Sequence, residues 1–146
     1  MGITVNIKKL RPDAETPSYR TAGASGMDIH ACLDKDINIP AGASAAIPTG
    51  LTFEIPPGYE IQTRPRSGLA LKHNITLLNS PGTIDSDYRG ELAVILINLG
   101  QTDFTVHHGD RVAQIVFAPV ARAVLTIATH LSETDRGSGG FGSTGI

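Results

Sequence analysis

Residues 37–58 read INIPAGASAAIPTGLTFEIPPG, and this stretch decides the fold class. Ile37 and Ile39 flank Asn38, and Leu51, Phe53 and Ile55 alternate with Thr52 and Glu54. An apolar residue at every second position gives a pleated chain one face to bury and one to wet. The runs are cut by Pro40-Ala41-Gly42, Pro48-Thr49-Gly50 and Pro56-Pro57-Gly58. There proline presets φ and removes a donor, while glycine admits turn conformations. Short alternating runs between such turns predict strands joined by tight connections.

The same pattern extends in both directions. Ile3, Val5 and Ile7 alternate with Thr4 and Asn6, and Phe104 and Val106 flank Thr105. Leu92 to Ile97 is continuously apolar, which predicts a strand covered on both faces. Residues 111–116 and 124–127 supply two more strands rich in β-branched side chains. Further turns fall at Asn79-Ser80-Pro81-Gly82 and His108-Gly109-Asp110. With 16 glycines and 9 prolines there is little room for helix, and only Ser67 to His73, capped by Ser67, reads as a short one. The fold expected is a single all-β domain, a distorted jelly roll or barrel. No repeat or internal boundary interrupts it before residue 135. Residues 1–134 then form the β-barrel domain, and DRGSGGFGSTGI, residues 135–146, reads as a flexible glycine-rich C-terminal arm.

Composition narrows the function. The chain has 146 residues, 12 basic and 14 acidic, for a net charge of −2. That balance supplies no field for nucleic acid or an anionic membrane, so any phosphate site must be a local cluster. No apolar run approaches a membrane span, and the first residues lack a signal-peptide core. Cys32 is the single cysteine, expected as a buried thiol in a reducing cytoplasm.

Five polar segments carry residues suited to chemistry. In Ala22 to Ile29 a small-residue loop ends in Asp28, either a turn residue or an organiser of cations. In Arg64 to Ala70 two arginines stand beside Ser67 and Gly68, forming either an anion site or a capped turn with solvated arginines. Asn79 to Gly90 brackets Asp85, Asp87, Tyr88 and Arg89 just before the apolar strand, and a carboxylate there is able to take a proton from water. Gln114 interrupts an apolar strand, facing either a core backbone group or a ligand. The arm joins Arg136, Phe141 and glycines to Ser143 and Thr144. It lacks the lysine and following helix of a P-loop, but its backbone amides and hydroxyls are chemically suited to phosphate.

In order, ASGMDI, PRSGLA, GTIDSDYRGEL, GDRVAQIVF and RGSGGFGSTG resemble the five motifs of the trimeric dUTPases, the deoxyuridine triphosphate nucleotidohydrolases. The resemblance spans nearly the whole chain, with Met27 in place of a common aromatic as a mild departure. It implies a β-clip jelly roll and a Mg²⁺-dependent dUTP diphosphatase, which makes dUMP and pyrophosphate, supplies dUMP for thymidylate synthesis and keeps uracil out of DNA. Asp85 would activate the water that attacks the α-phosphorus, and Asp28 would face the metal through its water shell. Asn79, Thr83, Ile84 and Ala93 would enclose uracil, while Tyr88 would pack on the sugar and reject a 2′-hydroxyl. Arg66, Ser67, Gly68 and Gln114 would contact the phosphates. Arg136, Gly142, Ser143 and Thr144 would close over them as Phe141 stacks on the base. The family resemblance also implies a homotrimer with active sites shared between chains. The related dCTP deaminases need a glutamate proton shuttle, whereas this chain has IDSDY.

Overall fold

The computed structural model describes residues 2–142. Eleven strands and one short helix follow each other as β1 (Asn6–Lys9), β2 (Met27–His30), β3 (Ile37–Ile39), β4 (Ser44–Pro48), β5 (Leu51–Glu54), β6 (Tyr59–Arg64), α1 (Ser67–His73), β7 (Ile75–Leu77), β8 (Gly82–Ile84), β9 (Ala93–Asn98), β10 (Phe104–Val106) and β11 (Arg111–Pro119). All pairings are antiparallel: β1 with β5, β3 with β10, a four-stranded sheet β2-β11-β6-β8, and a three-stranded sheet β4-β9-β7. The expected all-β jelly roll with one short helix is therefore the observed architecture.

The inward residues of these sheets meet in one core. Ile29, Ile39, Ile47, Leu51, Ile61, Leu96, Val106 and Ile115 have no exposed surface. Each such side chain contributes roughly 1.5–3 kcal/mol of burial free energy. Among the described residues, His30 Nδ1 is the one buried side-chain polar atom without a hydrogen-bond partner. Asn98 donates to the Ile39 and Thr102 carbonyls at 2.9 and 2.8 Å and accepts the Gly100 N–H at 2.9 Å, closing the β9–β10 connection. At Gly50, φ is +67° and an added Cβ would stand 2.9 Å from both Ala14 Cβ and Cys32 Sγ, so only glycine fits this turn.

The structure corrects four sequence expectations. The strand expected over Leu92–Ile97 is not covered on both faces: Val94, Leu96 and Asn98 are buried, while Ala93 and Ile95 face outward. A continuous apolar run cannot by itself distinguish a doubly covered strand from one whose outer face is also apolar. Residues 124–127 form no strand, and Val124, Leu125 and Ile127 are almost fully exposed, because the chain leaves the body after β11. Ser67 does not cap α1. Arg66 occupies that position with extended backbone, and no side chain accepts there. The first strand begins at Asn6 rather than Ile3. Tyr59–Arg64, whose YEIQTR mixes charge into every turn of the pleat, was not expected as a strand yet lies between β8 and β11.

Candidate functional site

The four-stranded sheet organises most of the candidate residues. Gln114 on β11 pairs with Asp28 on β2 on one side and with Arg64 on β6 on the other. Beyond Arg64 the chain turns through Pro65 to Arg66. The register therefore lines up an acid, an amide and the start of the arginine segment across three adjacent strands. Gly26 lies beside Gln114, where an added Cβ would come within 3.3 Å of its Oε1.

Asp28 is nearly buried and held by two guanidinium groups. Arg66 Nε donates to Oδ1 at 3.1 Å and Arg111 Nη1 donates to Oδ2 at 3.2 Å. Arg66 also donates to the Arg111 carbonyl at 3.1 Å. The carboxylate thus holds one arginine on each of its oxygens, each through a single charge-assisted bond. Each Asp28 oxygen keeps a second lone pair, so the group fits a cation held through water and does not offer an uncompeted direct ligand. Arg111 was absent from the residues singled out in the sequence. An arginine at the start of an apolar strand carries no local signal until its partner across the sheet is known.

Asp85 and Tyr88 belong to a second unit. After β8, Asp85 to Tyr88 form a turn closed by the Tyr88 N–H donating to the Asp85 carbonyl at 3.2 Å. Arg89 folds back and donates to the Ser86 and Tyr88 carbonyls at 2.7 and 3.1 Å. The Tyr88 hydroxyl donates to the Glu91 carbonyl at 3.0 Å. Glu91 in turn accepts the Gly50 N–H at 2.7 Å, Thr52 donates to the Arg89 carbonyl at 2.9 Å, and Thr49 donates to the Leu92 carbonyl at 2.6 Å. With the Leu92 N–H donating to the Leu51 carbonyl at 2.8 Å, the turn is stitched to the β4–β5 corner at four points. Thr83 and Ile84 pair with Gln62 and Ile61, and Gly82 packs so closely on Thr63 that a side chain there would collide with its hydroxyl and crowd Asn79. Ala93 starts the returning strand.

Within one chain the two units do not converge. Asp85 follows Ile84, which pairs with Ile61, whereas Gln114 pairs with Arg64 three residues further along β6. At about 3.3 Å per residue, Asp85 stands roughly 13 Å along the sheet from the Gln114 row. Asp85 instead borders a cavity of about 220 Å³ with Glu60, Asp87, Val120 and Arg122. Ser67 and Gly68 are exposed at the start of α1. In the arm, Arg136 donates to the Gly139 carbonyl at 2.8 Å, and Phe141 is fully exposed at φ +51°. Gly142 has φ +82°. Ser143 and Thr144 lie outside the described residues.

One cluster outside these units has metal-binding residue types. Ligand atoms of Asp13, Cys32 and His108 lie within 4.8 Å of one another. Arg11 already binds both Asp13 oxygens, at 3.0 and 2.7 Å. The Leu33 N–H donates to His108 Nδ1 at 3.0 Å, which leaves the ring hydrogen on Nε2, the nitrogen 3.9 Å from Asp13. That nitrogen is a donor, and Asp13 already accepts from Arg11 and Cys32, so the three groups do not present a free ligand set. The Arg11 bond holds the Asp13 carboxyl below its ordinary value, and burial pushes the Cys32 thiol up. Cys32 is the buried thiol expected from the sequence. Among the described residues no helix is long and apolar enough to cross a membrane.

The body is all-β and carries two separate groups of candidate residues, a carboxylate-bearing turn and a strand row of arginine, amide and acid. Comparison with known proteins then gives the family. The family model described as dUTPase matches residues 12–145, and the chain belongs to that family. It is 60% identical over 130 residues to the deoxyuridine 5′-triphosphate nucleotidohydrolase of Desulfotalea psychrophila, covering 89% of this chain and 87% of that one. It is 54% identical over 144 residues to the enzyme of the same name from Syntrophotalea carbinolica, covering 99% and 98%. Its fold matches the Staphylococcus bacteriophage 80alpha dUTPase with dUPNHPP at a TM-score of 0.90 and 24% identity, covering 98% of this chain and 99% of that one. It also matches the S. aureus phage phi11 dUTPase, described with a structural Mg(II) ion, at a TM-score of 0.80 and 21% identity, covering 88% and 98%.

Proposed function

We propose that this chain is a dUTP diphosphatase that hydrolyses dUTP to dUMP and pyrophosphate. The observation that carries this reading is the turn of Asp85 to Tyr88, which puts a proton acceptor and an aromatic wall at the two ends of one hydrogen-bonded unit. Family membership at 54–61% identity over most of the chain supports the substrate.

In this reading Asp85 takes the proton of the water that attacks the α-phosphorus, and a positioned base of this kind accelerates proton transfer about 10²–10⁴-fold. Asn79, Thr83, Ile84 and Ala93 enclose uracil. A site that hydrogen-bonds the base edge rejects cytosine because its polar groups would be left unpaired. Tyr88 closes the sugar side against a 2′-hydroxyl. Arg66, oriented by Asp28, binds the phosphates with Ser67, Gly68 and Gln114. Mg²⁺ bound to the triphosphate, and reached by Asp28 through water, would supply charge neutralisation.

The separation of the two units within one chain supports a site assembled between copies, a homotrimer with shared active sites. The arm, residues 135–146, then closes with Arg136, Gly142, Ser143 and Thr144 on the phosphates and Phe141 on uracil. A reduced, buried lone thiol fits a cytoplasmic enzyme that needs neither nucleic acid nor membrane.

A substrate panel tests this. With Mg²⁺, pyrophosphate release from dUTP is expected to exceed that from dTTP, dCTP and UTP by at least about tenfold. Ammonia release from dCTP would make the chain a deaminase, and dUTP binding without pyrophosphate release would make it a binding protein.

A further inference from the structure

Gly90 has no positive φ that would require glycine, yet a side chain there would displace the Tyr88 ring. An added Cβ would stand 2.5 Å from Cζ and 2.9 Å from Cε2 of Tyr88, and nearer still to its hydroxyl. The Tyr88 ring therefore lies directly on the bare backbone of Gly90. Its outer end is fixed by the bond to the Glu91 carbonyl, 3.0 Å away. Glu91 is itself anchored through its carboxylate to the Gly50 N–H at 2.7 Å. Behind it, Arg89 pins the Tyr88 carbonyl at 3.1 Å. A half-exposed tyrosine would ordinarily sample several rotamers. Here the bond to the Glu91 carbonyl and the contact with the glycine backbone both favour a single ring position.

We propose that Gly90 and the Glu91 carbonyl form a seat that fixes the Tyr88 ring, and that this seat sets the discrimination between deoxyribose and ribose triphosphates. The inference rests on the reading of Tyr88 as the wall beside the sugar and adds what holds that wall in place. A steric filter discriminates only as well as it resists displacement: a ring free to swing aside admits a 2′-hydroxyl, and one pushed forward obstructs deoxyribose as well. Either movement shrinks the contrast between the two sugars. Gly90 is thus a positioning residue that acts through Tyr88.

The test measures kcat/KM for dUTP and UTP, with Mg²⁺, in the full-length protein and in Gly90→Ala, Tyr88→Ala, the double variant and Tyr88→Phe. Gly90→Ala is expected to lower the dUTP-to-UTP ratio about tenfold, the scale of one misplaced methyl-sized contact in a binding pocket. In the Tyr88→Ala background the same change should alter the ratio less than about twofold, since contacting residues couple and the contact is gone. Tyr88→Phe keeps the ring but frees its outer end, and a several-fold fall is expected, which serves as the reading if Gly90→Ala does not fold. An unchanged ratio in Gly90→Ala or in Tyr88→Phe overturns the proposal, as does an equal loss with and without the Tyr88 ring. Equal hydrolysis of dUTP and UTP by the unaltered protein removes the sugar-wall reading, and the seat falls with it.

Discussion

The turn from Asp85 to Glu91 and the C-terminal stretch from Val120 to Gly142 carry comparable numbers of candidate residues but are built in opposite ways. The turn is bonded to the β4–β5 corner by Glu91, Thr52, Thr49 and the Leu92 N–H, which donates to the Leu51 carbonyl at 2.8 Å. The stretch starts from one tie, the Val120 N–H donating to the Gly58 carbonyl at 2.8 Å. Further on, the bonds of Thr134 to Gly139 run within that short segment. Val124, Leu125, Ile127 and Leu131 are each at least 88% exposed. One half of the proposed site is tied to the folded body, and the other half is tied to it at few points.

That difference has an energetic consequence. Ordering the eight residues from Asp135 to Gly142 would cost roughly 8–16 kcal/mol of backbone entropy at about 1–2 kcal/mol each. Stacking of Phe141 on a base returns only about 1–3 kcal/mol. Under the proposed closure, charged contacts of Arg136 with phosphate, at about 1.5–3 kcal/mol per hydrogen bond, would have to contribute alongside further backbone donors. The turn needs no such compensation at the moment of binding, which suits it to selecting the substrate, while the arm suits closure after selection.

Three substitutions and one truncation sharpen this contrast. The largest effect is expected from Asp85→Asn, which should lower kcat about 10³-fold while leaving the nucleotide affinity near normal, since amide and carboxylate are alike in size and only proton acceptance is lost. Single-turnover kinetics with dUTP alongside equilibrium binding would check it, and near-normal turnover would remove Asp85 from the base role. Deleting residues 136–146 should leave the thermal midpoint within a degree or two while lowering kcat about 10²-fold, the order seen when a transition-state donor is removed. A truncated protein with full activity would end the division between selecting turn and closing arm. The smallest effect concerns stability alone. Glu91→Ala leaves the buried Gly50 N–H without its acceptor and should cost about 1–3 kcal/mol in urea unfolding. Arg136→Ala, which removes an equally short bond from the exposed arm, should change stability by less than about 0.5 kcal/mol. Equal losses from the two would show that the arm is as firmly tied as the turn.

What was legible in the sequence was whatever depends on neighbours along the chain. Period-two alternation at Ile37–Ile39 and Leu51–Ile55, with proline–glycine turns between, was enough for an all-β body. The five motifs, by their order and residue types, were enough for the family and for a list of residues. Tyr59–Arg64 escaped because its polar residues are explained only by flanking strands, and residues 124–127 misled because β-branched composition signals a strand whether or not a partner strand exists. The pairing of Asp28 with both Arg66 and Arg111, the role of Glu91 and the bare surface of Gly90 beneath Tyr88 join positions up to 83 residues apart or depend on the path of a single turn. Local sequence carries propensity and chemistry; which side chain meets which, and how firmly it is held, is settled by sheet register and packing, and these exist only once the chain has folded.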